Sequence, residues 1–357
     1  MTKFQEGLGA FFGEGDAKSK VLHYGDSSAE YAAARGEAIV VDRSDRGKLT
    51  FRGEDRASFL QGMLTNTVEG LRPGSGNHSA LTDLKGNTQA DLWVYNAGET
   101  IQVETEPGVQ SKVSAFLDRY IIADDVEVTD TSSEFSIVGV QGPRALEIVR
   151  EFIGNPLEID MNGVISPEQG GEIRLVTRRS YTGEDGYDLW VLAEKAASVF
   201  QKLVDAGAVP AGEDVLEILR IESGIPKYGV DLDDRVVPLE AGIPDTVDFG
   251  KGCFIGQEVL GKMHNLGKPR RFLVGLFTED LIDRETELNS GEKVVGLVKS
   301  SARSVALERI ICLASVRRGF EEPGTILELP GGGQAEVASL PFAEGKSLTI
   351  SDLNLSA

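Results

Sequence analysis

The sequence predicts an α+β protein of more than one domain, and three observations support this fold class. A chain of 357 residues is long enough to divide into two or three compact units. Strand and helix patterns alternate, with hairpins between them, up to about residue 268, which is typical of split β-α-β units of the ferredoxin-like type. Beyond Pro269 the pattern changes to short strands separated by turn residues, which predicts a C-terminal β-barrel.

The composition excludes several classes of function. A formal net charge of −21 repels phosphate backbones and anionic lipid headgroups, so we expect neither a nucleic acid nor a membrane as a partner. No stretch approaches the roughly 18 consecutive apolar residues that a membrane span requires. The first residues also lack the apolar region of a secretory signal, so we expect a cytoplasmic protein.

Histidine and cysteine usage argues against a structural metal. The three histidines, His23, His78 and His264, are widely spaced, which does not fit a metal site. The two cysteines, Cys253 and Cys312, are expected to be free thiols, because cytoplasmic disulfides are rare. We therefore predict no metal.

The first half of the chain predicts an arm followed by a mixed region. Residues 1–36 show little periodicity and predict a loosely structured arm, helical only over 30–35. Strand patterns cover 39–41, 48–51, 78–84, 88–95 and 101–105, and helix patterns cover 55–64 and the residues from Pro107 to Tyr120. We assign residues 37–268 to one larger region, with an inserted subdomain at about 51–131.

The second half continues these patterns and ends in the predicted barrel. Strands are predicted over 135–140, 173–177 and 187–192, and helices after Gly142-Pro143, from Glu194 to Gly207 and over 214–222. The barrel, assigned to residues 269–357, is predicted from strand patterns at 272–277, 294–298, 310–314 and 326–329. The three glycines at 331–333 predict a hairpin turn and not a phosphate loop, because no lysine and helix follow them.

The strand from Thr88 to Tyr95 places one acid among aromatic rings. Alternation puts Asp91, Trp93 and Tyr95 on one face, together with Gln89, and leaves the apolar side chains for the core. The polar face fits either a ligand cavity or an amphipathic strand with one exposed side, and the pattern alone does not separate the two.

The loop after residue 180 concentrates two tyrosines and an acid at the start of a strand. Tyr181, Tyr187 and Asp188 flank the turn residues Thr182-Gly183-Glu184-Asp185-Gly186. Such residues are expected in any turn. The functional alternative is that the rings hold a flat heterocycle while the carboxylate pairs with its N–H groups.

The segment Lys251-Gly252-Cys253-Phe254-Ile255-Gly256-Gln257-Glu258 places a thiol between a lysine and a predicted helix start near Gln257. Both neighbours would stabilise a thiolate. The alternative is that Cys253 is a small buried hydrophobic residue.

Several of these segments together resemble the glycine-cleavage T-protein superfamily from about Val40 to Phe342. The most specific are Tyr-Thr-Gly-Glu-Asp-Gly-Tyr at 181–187, Leu-Thr-Asn at 64–66, Gln-Gly-Pro at 141–143 and Pro-Leu-Glu-Ala-Gly at 238–242. Lys251 to Glu258 resembles the Lys-Gly-Cys-aromatic-x-Gly-Gln-Glu signature of the YgfZ branch, whose members bind folate and support iron–sulfur proteins. The resemblance implies a T-protein-like fold whose split β-α-β units surround a central folate cavity, with tetrahydrofolate as the cofactor.

The resemblance also implies roles for particular residues. Asp91-Leu92 matches the end of the catalytic Gly-Gly-x-x-Asp-Asp-Leu pattern, with Ala90 in place of the first aspartate. The residues implied to bind folate are Tyr95, Tyr181, Asp188, Glu217, Lys251 and Gln257. Asp188 stands where a glutamate is usual, and Leu216-Glu217 stands where the family has an Arg-Asp pair. Asp91 and Cys253 are the implied catalytic residues.

Three hypotheses on function follow. The first is a YgfZ-type accessory factor in iron–sulfur cluster assembly or repair, with Cys253 as a functional thiol and iron–sulfur proteins as partners. The second is an aminomethyltransferase or related one-carbon transferase, which uses Asp91 to move a methylene group from a lipoyl carrier protein to tetrahydrofolate with release of ammonia. The third is a protein that binds folate without catalysis.

Overall fold

A computed structural model describes residues 1–14, 20–153, 158–167, 171–267 and 269–342. The helices in these ranges are α1 (Thr2–Gly7), α2 (Ser27–Gly36), α3 (Arg56–Met63), α4 (Gln110–Asp118), α5 (Ala145–Ile153), α6 (Ala196–Asp205), α7 (Glu213–Glu222) and α8 (Gln257–Leu266). The strands before residue 220 are β1 (Phe11–Phe12), β2 (Val21–His23), β3 (Ile39–Asp42), β4 (Gly47–Arg52), β5 (Gly76–Thr82), β6 (Thr88–Asn96), β7 (Ile101–Thr105), β8 (Glu127–Asp130), β9 (Phe135–Gln141), β10 (Val164–Ile165), β11 (Ile173–Arg178), β12 (Gly186–Leu192) and β13 (Val209–Pro210). Those after it are β14 (Arg271–Thr278), β15 (Glu287–Ser290), β16 (Lys293–Arg303), β17 (Ile310–Arg317), β18 (Ile326–Glu328) and β19 (Gln334–Ala338).

The described chain divides into two compact units. The first comprises Met1–Arg46 and Thr131–Arg220, and the second comprises Gly47–Asp130 and residues 221–342. The domain bounds predicted from the sequence stay a prediction, and two parts of them, Lys268 and residues 343–357, lie outside the described residues.

The first unit is built on a six-stranded sheet with the strand order β10-β11-β12-β9-β3-β13. Helices α5 and α6 pack on one face, where Ile148, Val149, Val199 and Phe200 are buried against the strands. The helices form because their apolar residues recur at helical spacing and meet this apolar face. The opposite face carries Asp188, one of the residues that the sequence resemblance implies for folate binding.

The described residues of the first 36 are more ordered than predicted. They form α1, α2 and a short β1–β2 pair. Phe4 and Tyr24 pack against the core of the first unit, and the Asp26 side chain caps α2 by accepting bonds from the Ser28 and Ala29 amides at 2.9 and 3.1 Å. The helix predicted over 30–35 lies within α2, whereas the loose structure predicted for the rest of the arm was wrong. The contacts that order it are tertiary or local caps, which leave no long periodic pattern.

The second unit contains a five-stranded sheet and a closed barrel. The sheet order is β5-β6-β7-β4-β8, and the barrel order is β14-β17-β16-β15-β18-β19. The predicted hairpin around Lys85-Gly86-Asn87 and the turn at 331–333 are both present. The α+β class and the C-terminal barrel are therefore confirmed.

Two details of the second unit differ from the sequence prediction. The helix predicted from Pro107 begins at Gln110, because Gly108 has a φ of +78° and cannot belong to a right-handed helix. Strands β8 and β15 have no counterpart in the sequence prediction, and β19 was implied only by the hairpin turn predicted at 331–333.

Two negative observations apply to the described residues. No group of three or more histidine, cysteine, aspartate or glutamate side chains there is arranged to hold a metal ion. None of the helices in those ranges combines the length and apolar character that crossing a bilayer requires.

Candidate functional site

One face of the five-stranded sheet carries polar and aromatic side chains. The predicted alternation along β6 is confirmed, because Ala90, Leu92 and Val94 lie in the apolar core. Asp91 and Trp93 therefore point to the opposite face. Residues that stand opposite each other on neighbouring strands share a face, so the strand register extends this polar face across the sheet.

Asp91 is paired on the polar face with His78 of β5. Trp93 stands opposite His78 and Ala80 stands opposite Asp91, so His78 and Asp91 are diagonal neighbours. The Nε2 atom of His78 contacts Oδ1 of Asp91. The imidazole also stacks on the indole of Trp93, with ring centroids 4.3 Å apart and 3° between the ring planes. An acid, an imidazole and an indole thus form one cluster, and sequence analysis had singled out only the acid and the indole.

The polar face continues over β7 and β4 with buried residues that sequence analysis also missed. Glu104 stands opposite Trp93, and Lys48 stands opposite Glu104. Both are fully buried. Tyr95, also fully buried, stands opposite Gln102, which accepts a bond from the Thr50 hydroxyl at 2.8 Å. The alternation of polar and apolar residues along β4 and β7 was the signal that could have placed them on this face.

Lys251 ties its own segment to the end of α3. Its ammonium donates to the backbone carbonyls of Gln61, Leu64 and Asn66 at 2.6, 2.6 and 2.9 Å. Burial lowers the pKa of Lys251 to about 8, so the group is still mostly protonated at pH 7 and has three N–H donors for three acceptors. The assignment of Lys251 to folate stays a prediction, and it would require one of these bonds to break.

The Leu64-Thr65-Asn66 segment meets the residues that precede Lys251. The Thr65 hydroxyl donates to the Thr246 carbonyl at 2.6 Å, and the Asn66 amide donates to the Asp245 carbonyl at 3.0 Å. The Leu64-Thr65-Asn66 motif therefore bonds to residues about 180 positions later in the chain, and these bonds help to hold the segment before Lys251 beside the sheet.

Cys253 and Gln257 lie where this segment enters α8. Cys253 is exposed, and Gln257 is the first residue of the helix, as predicted. Gly256 precedes the helix with a φ of +86°, and a Cβ at this position would lie 2.6 Å from the Asp83 carbonyl oxygen. Only glycine fits such a close approach at positive φ. The β5–β6 turn and the start of α8 are thereby packed together.

In the first unit, Asp188 forms a buried ion pair. Its side chain is 0% exposed, and its Oδ2 accepts from a guanidinium nitrogen of Arg43 at 2.8 Å. The same guanidinium lies 3.8 Å from the ring centroid of Tyr181. The Tyr181 hydroxyl donates to Oδ1 of Asp188 at 3.4 Å. Arg43 was missed by sequence analysis, because nothing in the pattern around it distinguishes it from a surface arginine.

The space for this cluster comes from Gly139, which stands opposite Asp188 on β9. A Cβ at this glycine would lie 2.1 Å from the Tyr181 hydroxyl and 2.8 Å from an Asp188 oxygen. Burial, reinforced by the Asp188 charge, raises the pKa of Tyr181 well above its usual value, so the phenol stays protonated and acts as a donor.

Glu217 lies on α7 and is paired with Arg220. The carboxylate accepts from Nε of Arg220 at 2.8 Å and from a second guanidinium nitrogen. Its side chain is 33% exposed. An Arg–acid pair is therefore present on α7, with its two residues one helical turn apart.

The predicted site residues fall in both units. Tyr181, Asp188 and Glu217 belong to the first unit, while Asp91, Tyr95, Lys251, Cys253 and Gln257 belong to the second. Within the first unit the structure brings Tyr181 and Asp188 together. Within the second, Asp91 lies with His78 and Trp93, and Lys251, Cys253 and Gln257 lie along the segment that enters α8.

The cluster on the polar face is suited to a ligand with a flat heterocycle and N–H groups. Its stacked imidazole and indole offer aromatic surface, and its carboxylate offers an acceptor. Within the described residues, Oδ2 of Asp91 makes no hydrogen bond to protein, so it is available to a reactant. These features fit a pterin, which is both flat and rich in N–H donors.

Comparison with known proteins places the chain in a family. Residues 1–251 match the model of the GCVT N-terminal domain, and residues 271–343 match the model of the glycine cleavage T-protein C-terminal barrel domain. The second match covers the observed barrel.

Similar proteins extend over nearly the whole chain. An aminomethyltransferase of Rubrobacter xylanophilus is 32% identical over 91% of this chain and 88% of its own length. An aminomethyltransferase of Saccharopolyspora erythraea is 30% identical over 96% of each chain. The crystal structure of the glycine cleavage system aminomethyltransferase T from Bartonella henselae superposes with a TM-score of 0.88 over 96% of each chain, at 24% identity, which shows a common fold. The chain belongs to the glycine cleavage T-protein family.

Proposed function

We propose that this protein is a folate-dependent aminomethyltransferase or a closely related one-carbon transferase. The observation that carries the proposal is the Asp91 carboxylate, which is nearly buried, contacts His78 and lies on the polar face of the sheet. The relatives named aminomethyltransferase, 30 to 32% identical over most of the chain, support this function more than the accessory role that the Lys251 to Glu258 signature had favoured.

Asp91 has the central role in this proposal. Two nitrogen atoms of tetrahydrofolate would form bonds to the methylene carbon of the donor, whose bonds to the amino nitrogen and to the lipoyl sulfur would break. The two protons lost from the folate nitrogens would go to these leaving groups, which depart as ammonia and a thiol. Asp91 would hold or move a proton at Oδ2, the oxygen that does not face His78. The Asp91 side chain is only 9% exposed, and this partial shielding from water strengthens its interaction with a bound reactant. The cytoplasmic location stays a prediction.

The test is turnover by the unmodified protein. Purified protein is incubated with an aminomethyl-loaded lipoyl carrier protein, with and without tetrahydrofolate, and released ammonia is measured. We expect release in molar excess over the protein only when tetrahydrofolate is present. Binding of tetrahydrofolate in calorimetry without any release of ammonia would contradict the transferase and favour a protein that only binds folate.

A second candidate function is the YgfZ-type accessory role in iron–sulfur metabolism. One observation favours it: Cys253 is exposed, whereas Cys312 is fully buried in the barrel. A functional thiol must be reachable, and the structure leaves Cys253 reachable. The signature that contains Cys253 also packs on the β5–β6 hairpin, which carries His78 and Asp91.

Alkylation tests the accessory candidate. Burial raises the pKa of Cys312 and removes it from solvent, so iodoacetamide should modify Cys253 at least tenfold faster, as read by mass spectrometry. Cys253→Ala should then fail to support iron–sulfur enzymes in a strain that lacks its own YgfZ-type protein, while Cys312→Ala should support them. Full complementation by Cys253→Ala would contradict the accessory role in iron–sulfur metabolism.

A further inference from the structure

We infer that His78 is a positioning residue for Asp91. His78 holds the carboxylate through Oδ1 and thereby directs Oδ2 toward the reactant. The inference rests on the proposed function, since it adds a second residue to the same site. In the sequence, His78 is one of three widely spaced histidines, and nothing there indicates a role for it.

Two contacts hold His78 in place. The stack on Trp93, with ring centroids 4.3 Å apart and 3° between the ring planes, fixes the plane of the imidazole. The contact with Asp91 fixes the rotation of the ring within that plane, so that its Nε2 atom faces the carboxylate. Both contacts follow from the register, because Trp93 stands opposite His78 and Asp91 lies diagonally from it. The histidine side chain is 20% exposed and the aspartate side chain is 9% exposed, so little water can replace this contact.

The direction of the hydrogen bond is set by the acid. A carboxylate oxygen is an acceptor, so this bond uses the form of His78 that carries a hydrogen on Nε2. The bond uses Oδ1, and within the described residues Oδ2 has no protein partner. Without His78, the carboxylate could rotate about its side-chain bonds, and the reactive oxygen would no longer be held in one place. Misplacement of a reacting group by about 1 Å can cost a hundredfold in rate.

Two variants separate the hydrogen bond from the packing. His78→Phe keeps an aromatic ring for the stack on Trp93 but has no donor. His78→Gln keeps an N–H donor but has no ring. If the donor matters, His78→Phe should lower kcat about tenfold to a hundredfold with KM for tetrahydrofolate within about threefold, and His78→Gln should recover most of kcat.

The same effect should vanish when Asp91 is already altered. In an Asp91→Asn background, His78→Phe should change kcat by less than about twofold, because the histidine acts through the aspartate. Equal losses in His78→Phe and His78→Gln, or a loss that persists in the Asp91→Asn background, would overturn the inference and assign His78 to packing.

A spectroscopic measurement keeps the inference testable apart from turnover. In protein labelled with ¹³C at the aspartate carboxyl carbons, the resonance of Asp91 is assigned by its disappearance in Asp91→Asn. It should move in His78→Phe and stay near its wild-type position in His78→Gln. An Asp91 resonance that is unchanged in His78→Phe would overturn the inference. Absence of ammonia release by the unmodified protein, with this resonance shifted as expected, would count against the proposed function alone.

Discussion

Asp91→Asn is expected to lower kcat for aminomethyl transfer by roughly a hundredfold to ten-thousandfold, which is the usual contribution of a group that transfers or orients a proton. Asparagine has nearly the same volume and its carbonyl oxygen can still accept a bond from His78, so the fold and the register of β5 and β6 should survive. At the position of Oδ2 the variant then has an uncharged NH2 donor in place of the basic oxygen acceptor. The measurement is ammonia release under saturating carrier and tetrahydrofolate.

The matched control is Asp118→Asn, at the exposed end of α4. This change removes one negative charge from the same unit but not from the polar face, and kcat should stay within about twofold of wild type. Folate affinity measured by calorimetry should change far less than kcat in Asp91→Asn. An Asp91→Asn protein with wild-type turnover would show that the proposed function does not use this carboxylate.

Asp188→Asn is expected to destabilise the protein by about 3 to 5 kcal/mol, as is typical when one partner of a buried ion pair is removed. The change removes the negative charge that Arg43 contacts at 2.8 Å and weakens the acceptor for the Tyr181 hydroxyl. The measurement is the urea unfolding transition followed by circular dichroism. A double variant, Arg43→Met with Asp188→Leu, should recover much of the loss because neither charge of this pair remains.

The control for this prediction is an exposed pair in the same unit. Glu147→Ala breaks the contact between Glu147, whose side chain is 62% exposed, and Arg144, whose side chain is 49% exposed. Because the pair is exposed, this variant should leave the unfolding transition almost unchanged. The result also bears on the folate role implied for Asp188. If Asp188→Asn unfolds like wild type but binds tetrahydrofolate much more weakly, the carboxylate serves the ligand and not the fold.

Local patterns in the sequence predicted most of the secondary structure and part of the candidate site. The alternation along β6 was sufficient to place Asp91 and Trp93 together, because side-chain direction in a strand is a property of the backbone. The same alternation predicted which face would enter the core. The burial of Cys312 was also predictable, since it lies in an apolar run, whereas the surroundings of Cys253 in the sequence left its exposure open.

The partners of these residues could not be predicted in this way. His78 reaches Asp91 only because the β5–β6 register places it diagonally, and a register shift of one residue would move it to the other face. Arg43 reaches Asp188 across 145 positions, and Lys251 reaches the carbonyl of Gln61 across 190. Contacts at such separations leave no periodic trace in the chain.

The sequence by itself therefore determined the α+β class, the C-terminal barrel and the polar face of β6, all of which depend on periodicities of a few residues. Only the tertiary structure decided what each charged group is bonded to. It paired Asp188 with Arg43, Glu217 with Arg220 and Asp91 with His78, and it turned the Lys251 ammonium toward backbone carbonyls. The physical reason is that a buried charge must find a partner, and which partner it finds depends on how strands and loops are brought together in space.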